Sequence, residues 1–309
     1  MIVERAAVLG RCMGVRRAVD LALKTAEAEK KGAGRPVYTL GPLIHNPQAV
    51  AKLEMHGIRA IENGAEAAPG GAVVIIRAHG VPPGLRAQLE AQGAEIVDAT
   101  CPRVIASQRK AEDCARQGCQ VIIAGDPGHG EVAGIKGFAE KGASEAEKPN
   151  RIAVSVVSSA SEAERIELSP PFALLAQTTI KEDEYEAIRR VISARAGDTA
   201  GEDTTGDGAR AGNMYLDTIC PATAERLASL RELARNCDAI VVVGGRNSAN
   251  TARLFNTARE LGRPSWLVET AAELPSGIFS FDRVGITAGA SSPDDIVDAV
   301  AAALQEGRS

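Results

Sequence analysis

Short apolar runs, nearly unbroken and each followed by a stretch with helical spacing, leave this 309-residue chain few folds. The runs include Val37–Leu40, Val73–Ile76, Val121–Ala124, Ile152–Val157, Ala173–Leu175, Ile240–Val243, Trp266–Val268 and Val284–Thr287. They are rich in Val and Ile and lack regular polar alternation, as expected of strands buried on both faces of a parallel sheet. Between them lie helical stretches such as Val15–Lys31, Pro102–Gln117, Ala222–Arg235 and Thr251–Leu261. The alternation predicts an α/β fold. Right-handed crossovers then gather the loops that follow the strands at one edge of each sheet.

Three junctions of this kind carry a cysteine: Gly10-Arg11-Cys12-Met13-Gly14-Val15, Asp98-Ala99-Thr100-Cys101-Pro102 and Asp217-Thr218-Ile219-Cys220-Pro221. They follow the strand-like runs Ala6–Leu9, Glu95–Val97 and Met214–Leu216, and the last two share the pattern Asp, two residues, Cys, Pro. A single Cys after a strand is ordinarily a small buried hydrophobe. Three at equivalent points read differently. At the mouth of a helix, unpaired N–H groups and the dipole favour the thiolate, the form that binds metal. An odd number does not pair off as disulfides, and nothing marks the chain as secreted. A closed zinc site shows two close ligand pairs; Cys114 and Cys119 come nearest to one, and no second pair completes it. Widely separated single thiolates suit one iron–sulfur cluster held between domains. Cys114, Cys119 and Cys237 fit no such junction and read as packing residues.

Lys plus Arg number 35 and Asp plus Glu 40, a net charge of −5. That argues against a general nucleic-acid binder, which presents a basic face, and leaves a small anionic substrate open, because a local site can oppose the net charge. The opening Met1-Ile2-Val3-Glu4-Arg5 has no apolar core of signal-peptide length. No run approaches the roughly 18 apolar residues of a membrane span. The expectation is a cytoplasmic protein with no membrane partner. The cysteine spacing suggests three similar α/β domains: Gly14–Thr100, Cys101–Thr218, and Ile219–Ser309 joined by the N-terminal strand within Met1–Met13. A Gly/Asp/Thr-rich stretch at about residues 195–212 lacks an apolar face and reads as a flexible surface insertion.

Three of the four histidines lie in loops after strands: Ile44-His45-Asn46, Ala78-His79-Gly80 and Gly128-His129-Gly130-Glu131. A single loop His is ordinarily a solvated turn residue; a convergent set can hydrogen-bond a phosphate. His56 sits beside a helix C-terminus, where the dipole favours it. Two further loops run from a strand through Gly and small polar residues into a helix, Gly244-Gly245-Arg246-Asn247-Ser248-Ala249-Asn250 and Gly289-Ala290-Ser291-Ser292-Pro293. Each can be an N-cap or a phosphate cradle; in the second, Ser292, Pro293 and Asp295 suit N-cap, N1 and N3, which leaves Ser291 and Asn250 as spare polar groups. Glu131 is a candidate proton donor. Thr178, in Gln177-Thr178-Thr179, can place a hydroxyl in the same cleft or cap the helix beginning near Lys181.

In this order and over nearly the whole chain, these motifs resemble the iron–sulfur 4-hydroxy-3-methylbut-2-enyl diphosphate reductase family. The pieces are the Cys12, Cys101 and Cys220 motifs, Ile44-His45-Asn46, Ala78-His79-Gly80-Val81, Gln177-Thr178-Thr179, Asn247-Ser248-Ala249-Asn250 and Gly289-Ala290-Ser291. The resemblance implies three α/β domains with mainly parallel sheets, in a pseudo-threefold trefoil around a central [4Fe–4S] cluster. It implies that Cys12, Cys101 and Cys220 ligate three irons and that one iron is open. It implies diphosphate contacts from His45, His79, His129, Ser248, Asn250 and Ser291, a proton-delivering Glu131, and Thr178 orienting the substrate hydroxyl. The implied reaction removes that allylic hydroxyl as water with two electrons and two protons. A ferredoxin or flavodoxin would supply the electrons.

The departures are specific. Arg11 stands where the family usually has Phe, Gly130 where it has Pro, Ala249 in place of one of two adjacent serines and Ala176 where Thr is common; the insertion is extra. Two rival classes use the same residues: a hydro-lyase using a three-Cys cluster as Lewis acid, and a redox-sensing cluster or zinc protein that has lost catalysis. Arg11 adds positive charge beside Cys12, and voltammetry of Arg11→Phe is expected to give a lower cluster potential than the native chain.

Overall fold

The computed structural model describes residues 1–44, 47–61, 68–147, 152–197, 212–246 and 248–307. Its strands are β1 (Ile2–Arg5), β2 (Val37–Leu40), β3 (Ile58–Ile61), β4 (Val73–Ile76), β5 (Glu95–Asp98), β6 (Gln120–Ala124), β7 (Val154–Val157), β8 (Phe172–Ala176), β9 (Met214–Leu216), β10 (Ala239–Val243), β11 (Ser265–Val268) and β12 (Arg283–Ala288). The helices are α1 (Met13–Lys31), α2 (Pro47–Met55), α3 (Pro83–Ala91), α4 (Pro102–Arg116), α5 (Gly130–Ser144), α6 (Ala160–Ala163), α7 (Glu182–Ala196), α8 (Pro221–Asn236), α9 (Ala249–Glu260) and α10 (Asp294–Glu306). The strands form three four-stranded sheets, as the α/β reading expects. The chain divides into two compact units, Met1–Glu62 with Pro221–Ser309, and Asn63–Cys220.

In the first unit the sheet order is β1-β12-β10-β11, all parallel. Val241 of β10 stands between Trp266 and Ile286. Val241, Val243 and Ile286 face Val297, Val300 and Leu304 of α10, while Ile240 and Val242 face Leu230 and Leu233 of α8 and Leu254 of α9. Successive residues of β10 thus enter different cores. That is why the strand shows no polar alternation in sequence. The same unit holds the parallel pair β2 and β3, with Val37 opposite Ile58.

The second unit contains the parallel sheet β7-β6-β8-β9. Val121, Ile123, Ala173 and Leu175 pack against Ala111 and Ala115 of α4 and Ile135 and Ala139 of α5. On the other face Ile122, Phe172 and Leu174 meet Tyr185, Ile188 and Ile192 of α7. β4 and β5 pair in parallel, Val73 opposite Glu95. Among the described residues, no helix is long and apolar enough to cross a membrane.

Two strands differ from expectation. The opening strand is Ile2–Arg5, not Ala6–Leu9; Ala6 adds one bond to Ile286 before the chain leaves the sheet. β3 shows a weak sequence signal because its middle residues, Arg59 and Ala60, are exposed. Both are partly exposed strands, where an unbroken apolar run is not required. Most of the stretch at residues 195–212 lies outside the described residues.

Helices α4 and α5 pack closely. A Cβ on Gly142 would stand 2.1 Å from the Glu112 carbonyl oxygen, so only glycine admits this approach. Gly142→Ala is expected to cost about 1–3 kcal/mol, the usual range for overpacking. A lowered urea midpoint with an unchanged denaturant slope checks this.

Candidate active site

In the second unit the loops after β4, β6 and β8 bring together residues singled out from sequence. The β6 loop delivers His129 as N-cap of α5, and its ring Nδ1 accepts a hydrogen bond from the Glu131 N–H at 3.2 Å. The β4 loop turns back on itself, the Gly80 N–H donating to the Arg77 carbonyl. It sets the His79 ring edge-on to His129, with centroids 5.0 Å apart. Glu131 follows in the first turn of α5 and is only 1 % exposed.

The Glu131 carboxylate has one identified partner residue. The Thr178 N–H donates to Oε1 at 2.6 Å and the Thr178 hydroxyl to Oε2 at 2.9 Å. Burial pushes the acid above its ordinary value and the two Thr178 bonds pull the other way; burial dominates. Thr178 therefore does not cap α7, whose N-cap is Lys181. Its carbonyl in turn accepts from the Cys220 N–H at 2.8 Å.

Gln177, beside it, clamps the loop that carries His129. Its Oε1 accepts from the Asp126 N–H at 2.9 Å and its Nε2 donates to the Thr179 hydroxyl at 2.8 Å. Sequence reasoning placed Gln177 in a motif without a role. A buried amide joining two loops leaves no local pattern by which to find it.

The cysteines separate into two sets. Cys12 and Cys101 are the N-cap residues of α1 and α4, neither thiol serving as a cap, and Cys220 directly precedes α8. All three are partly exposed and none is in a disulfide. In the two Asp-x-x-Cys-Pro loops, Asp98 accepts from the Thr100 N–H and Asp217 from the Ile219 N–H, each at 2.9 Å. These are the same Asx turn two residues on. The Cys101 N–H donates to the Ala78 carbonyl, tying that cysteine to the His79 loop. Cys114, Cys119 and Cys237 are buried in apolar cores. Burial pushes Cys114 and Cys237 up to about 11, and raises Cys119 as well. Protonated thiols are poor metal ligands, so Cys114, Cys119 and Cys237 are unsuited to a metal–thiolate group, and the partly exposed thiols are Cys12, Cys101 and Cys220. Among the described residues no three His, Cys, Asp or Glu side chains are spaced to hold one metal ion. A cubane cluster differs in kind, since each thiolate binds its own iron.

The first unit supplies the two Gly-containing loops. Ser248 is N-cap of α9, its hydroxyl accepting from the Thr251 N–H at 3.4 Å. Asn250 Nδ2 and the Ser291 hydroxyl are buried and have no hydrogen-bond partner among the described residues; Thr251 Oγ1 and Thr287 Oγ1 share that condition. Buried polar atoms are rarely left unpaired in a native protein, so water or a ligand is the expected partner here. Ser292 was expected to cap the last helix. Instead its hydroxyl donates to the Val243 carbonyl at 2.8 Å, and Pro293 is the N-cap of α10. Glycine at 289 is what lets Thr251 come so near, since a Cβ there would stand 2.3 Å from its hydroxyl. Cys12 lies beside the same loop, its N–H donating to the Ala290 carbonyl at 3.4 Å. Arg11 keeps a buried, unpartnered Nε. His45, Asn46 and Asn247 lie outside the described residues.

A sequence profile of the LytB protein matches residues 3–305. The chain belongs to the LytB family. The 4-hydroxy-3-methylbut-2-enyl diphosphate reductase of Treponema denticola is 44 % identical over 316 residues, with 99 % of this chain and 100 % of that protein covered. The reductase of the same name from Solidesulfovibrio magneticus is 39 % identical, over 97 % of this chain and 98 % of its own. Among solved structures, that of (E)-4-hydroxy-3-methyl-but-2-enyl diphosphate reductase, the terminal enzyme of the non-mevalonate pathway, matches with a TM-score of 0.73 at 35 % identity, covering 99 % of this chain and 100 % of that one. The Plasmodium falciparum reductase structure, at 24 % identity and a TM-score of 0.76 over 96 % of this chain and 86 % of its own, shares the fold. In this LytB-family chain, Cys12, Cys101, Cys220 and Thr178 stand in loops that lead from a strand towards a helix, and Glu131 in the first turn of α5.

The raised Glu131 acid has a consequence for stability. The folded chain holds this proton to higher pH than the unfolded chain, so the contribution is complete below the ordinary value of 4.5 and is lost as pH rises through the folded value. Glu131→Gln keeps the neutral form at every pH. Its melting temperature is expected to rise relative to the native chain between about pH 5 and pH 8, as followed by anaerobic calorimetry.

Proposed function

We propose that this chain reduces 4-hydroxy-3-methylbut-2-enyl diphosphate, replacing its allylic hydroxyl with hydrogen. Two electrons and two protons enter, the C–O bond breaks, and water leaves with isopentenyl or dimethylallyl diphosphate as product, the last step of the non-mevalonate isoprenoid route. The observation that carries this reading is the buried Glu131–Thr178 pair, whose backbone continues through the Thr178 carbonyl to the Cys220 N–H. What supports it is an acid whose proton affinity burial raises, beside a cysteine loop, in a chain whose relatives bear that reductase name.

Cys12, Cys101 and Cys220 would hold a [4Fe–4S] cluster, which when bound supplies the electrons and, at the iron without a protein ligand, a Lewis acid. The chain's own residues do the rest. Ser248, Asn250 and Ser291 would contact the diphosphate, the Asn250 Nδ2 and Ser291 hydroxyl, without a partner among the described residues, being donors that such an anion satisfies. His45, His79 and His129 are the other diphosphate contacts of this reading. Thr178 orients the substrate hydroxyl. Glu131 carries the proton: on its protonation the bond to Thr178 reverses, the carboxyl O–H donating and the threonine oxygen accepting. Delivery through Thr178 then keeps the acid out of water until the leaving oxygen needs it. The electron donor is a ferredoxin or flavodoxin.

Protein purified without oxygen should consume reduced viologen only when the allylic diphosphate is added. Glu131→Gln should slow that uptake by roughly 100-fold or more while the iron content stays the same. Serine at position 12, 101 or 220 should abolish iron retention, and serine at 114, 119 or 237 should leave it intact. Unchanged turnover in Glu131→Gln would remove the acid role.

A further inference from the structure

Beyond Ala6 the chain leaves its sheet, yet its polar backbone groups are still taken up in turn. The Ala6 N–H makes the last bond to β12, donating to the Ile286 carbonyl at 2.9 Å. The Val8 N–H then donates to the Ser229 hydroxyl at 3.0 Å, and the Gly10 carbonyl accepts from Arg226 Nη2 at 2.7 Å. The Cys12 N–H follows, donating to the Ala290 carbonyl at 3.4 Å. Val8 and Gly10 offer an N–H and a C=O two residues apart, groups that a neighbouring strand could take. Two side chains of α8, three residues apart and so on one face of that helix, take them instead. The run from Ala6 to Leu9, where the sequence predicts a strand, is therefore held beyond its first residue by a helix.

Arg226 is the costly member of this pair. It is 3 % exposed, in a helix whose Leu227, Leu230 and Leu233 belong to an apolar core. Taking a guanidinium out of water is unfavourable, and another apolar residue would serve packing alone. Its Nη1 donates to the Ala222 carbonyl of its own helix at 3.4 Å, so the guanidinium spans from α8 to the loop that carries Cys12. The carbonyl it reaches there belongs to the residue two before that cysteine. Gly10 has a φ of +70°, the left-handed conformation that glycine adopts most readily, and marks the turn of the chain towards α1. A buried, charged donor thus holds the residue at which the loop turns.

We propose that Arg226 is a positioning residue for Cys12. Its charged bond to the Gly10 carbonyl, with Ser229 on the Val8 N–H, fixes the path by which the Cys12 thiolate is presented at the start of α1. This rests on the reading of Cys12 as an iron ligand. A ligand held in place before the metal arrives has little conformational freedom left to lose on binding, and one on a loose loop leaves the iron more readily. Arginine suits the task because it stays charged at every physiological pH and a bond from a charged donor is stronger than a neutral one.

The test is made on holoprotein purified without oxygen, by hydrogen exchange of the amides of residues 8–12 and by the rate of iron loss to a chelator. Arg226→Met should speed both by roughly 10-fold or more, the range for a lost charged hydrogen bond. Ser229→Ala should speed both to a smaller extent. Arg226→Lys, which keeps a charged donor, should fall between the native chain and Arg226→Met. Leu304→Ala is the control: it opens a cavity in the same unit on the other face of the sheet and leaves both α8 bonds in place. It should lower the melting temperature without the rise in iron loss. The proposal is overturned if either rate in Arg226→Met stays at that of Leu304→Ala, or if Arg226→Lys recovers nothing. If Arg226→Met does not fold, Ser229→Ala and Arg226→Lys are compared with Leu304→Ala by the same criterion. Iron retained by Cys12→Ser rejects instead the ligand reading on which the proposal rests.

Discussion

A carboxyl group taken out of water sets the requirements for everything around it. Glu131 is almost wholly buried, so its charged form is expensive, and the Thr178 N–H and hydroxyl are the groups that make ionisation possible at all. Those two donors are held at the end of β8 by the strand itself and by the Cys220 N–H on the Thr178 carbonyl. One cysteine loop, one hydroxyl and one acid are thereby fixed to a common backbone. Moving any of them by an ångström would change the proton affinity of the acid, because burial raises it and the Thr178 bonds oppose that effect.

The parallel sheets make that arrangement possible. Within β7-β6-β8-β9 the loops that follow the strands emerge at one edge, so β6 and β8 lead to Glu131 and Thr178 side by side, and the loop after β4, a strand of another sheet, brings His79 to His129. In the first unit the corresponding loops after β10 and β12 approach each other over Gly244 and Gly289, with Thr251 and Ser292 packed beneath. Small residues there leave Asn250 and Ser291 with unsatisfied polar atoms. Among the described residues those loops do not satisfy themselves, so capping alone does not account for their polar atoms.

Much of this was legible beforehand, for physical reasons. The buried strands β4, β6, β8 and β10 show as apolar runs because both faces are covered. The partly exposed β1 was expected too late in the chain, at Ala6–Leu9, and β3 was not expected at all, because such strands need not be apolar. The repeated Asp-x-x-Cys-Pro pattern was readable because the Asx turn needs an Asp two residues before the N–H it accepts from. Ser292 was misassigned because a serine before a proline fits an N-cap locally, whereas a tertiary partner, the Val243 carbonyl, takes its hydroxyl. Gln177 had no readable signal, because it acts on a loop remote in sequence.

The three cysteines without a junction also matter for how the protein matures. Cys114 and Cys237, pushed up to about 11, stay as thiols in the cell, and Cys119 is shifted in the same direction. On the proposed reading of Cys12, Cys101 and Cys220 as ligands, the folded chain offers iron and sulfide few competing sulfurs, because burial favours the protonated form of the other three.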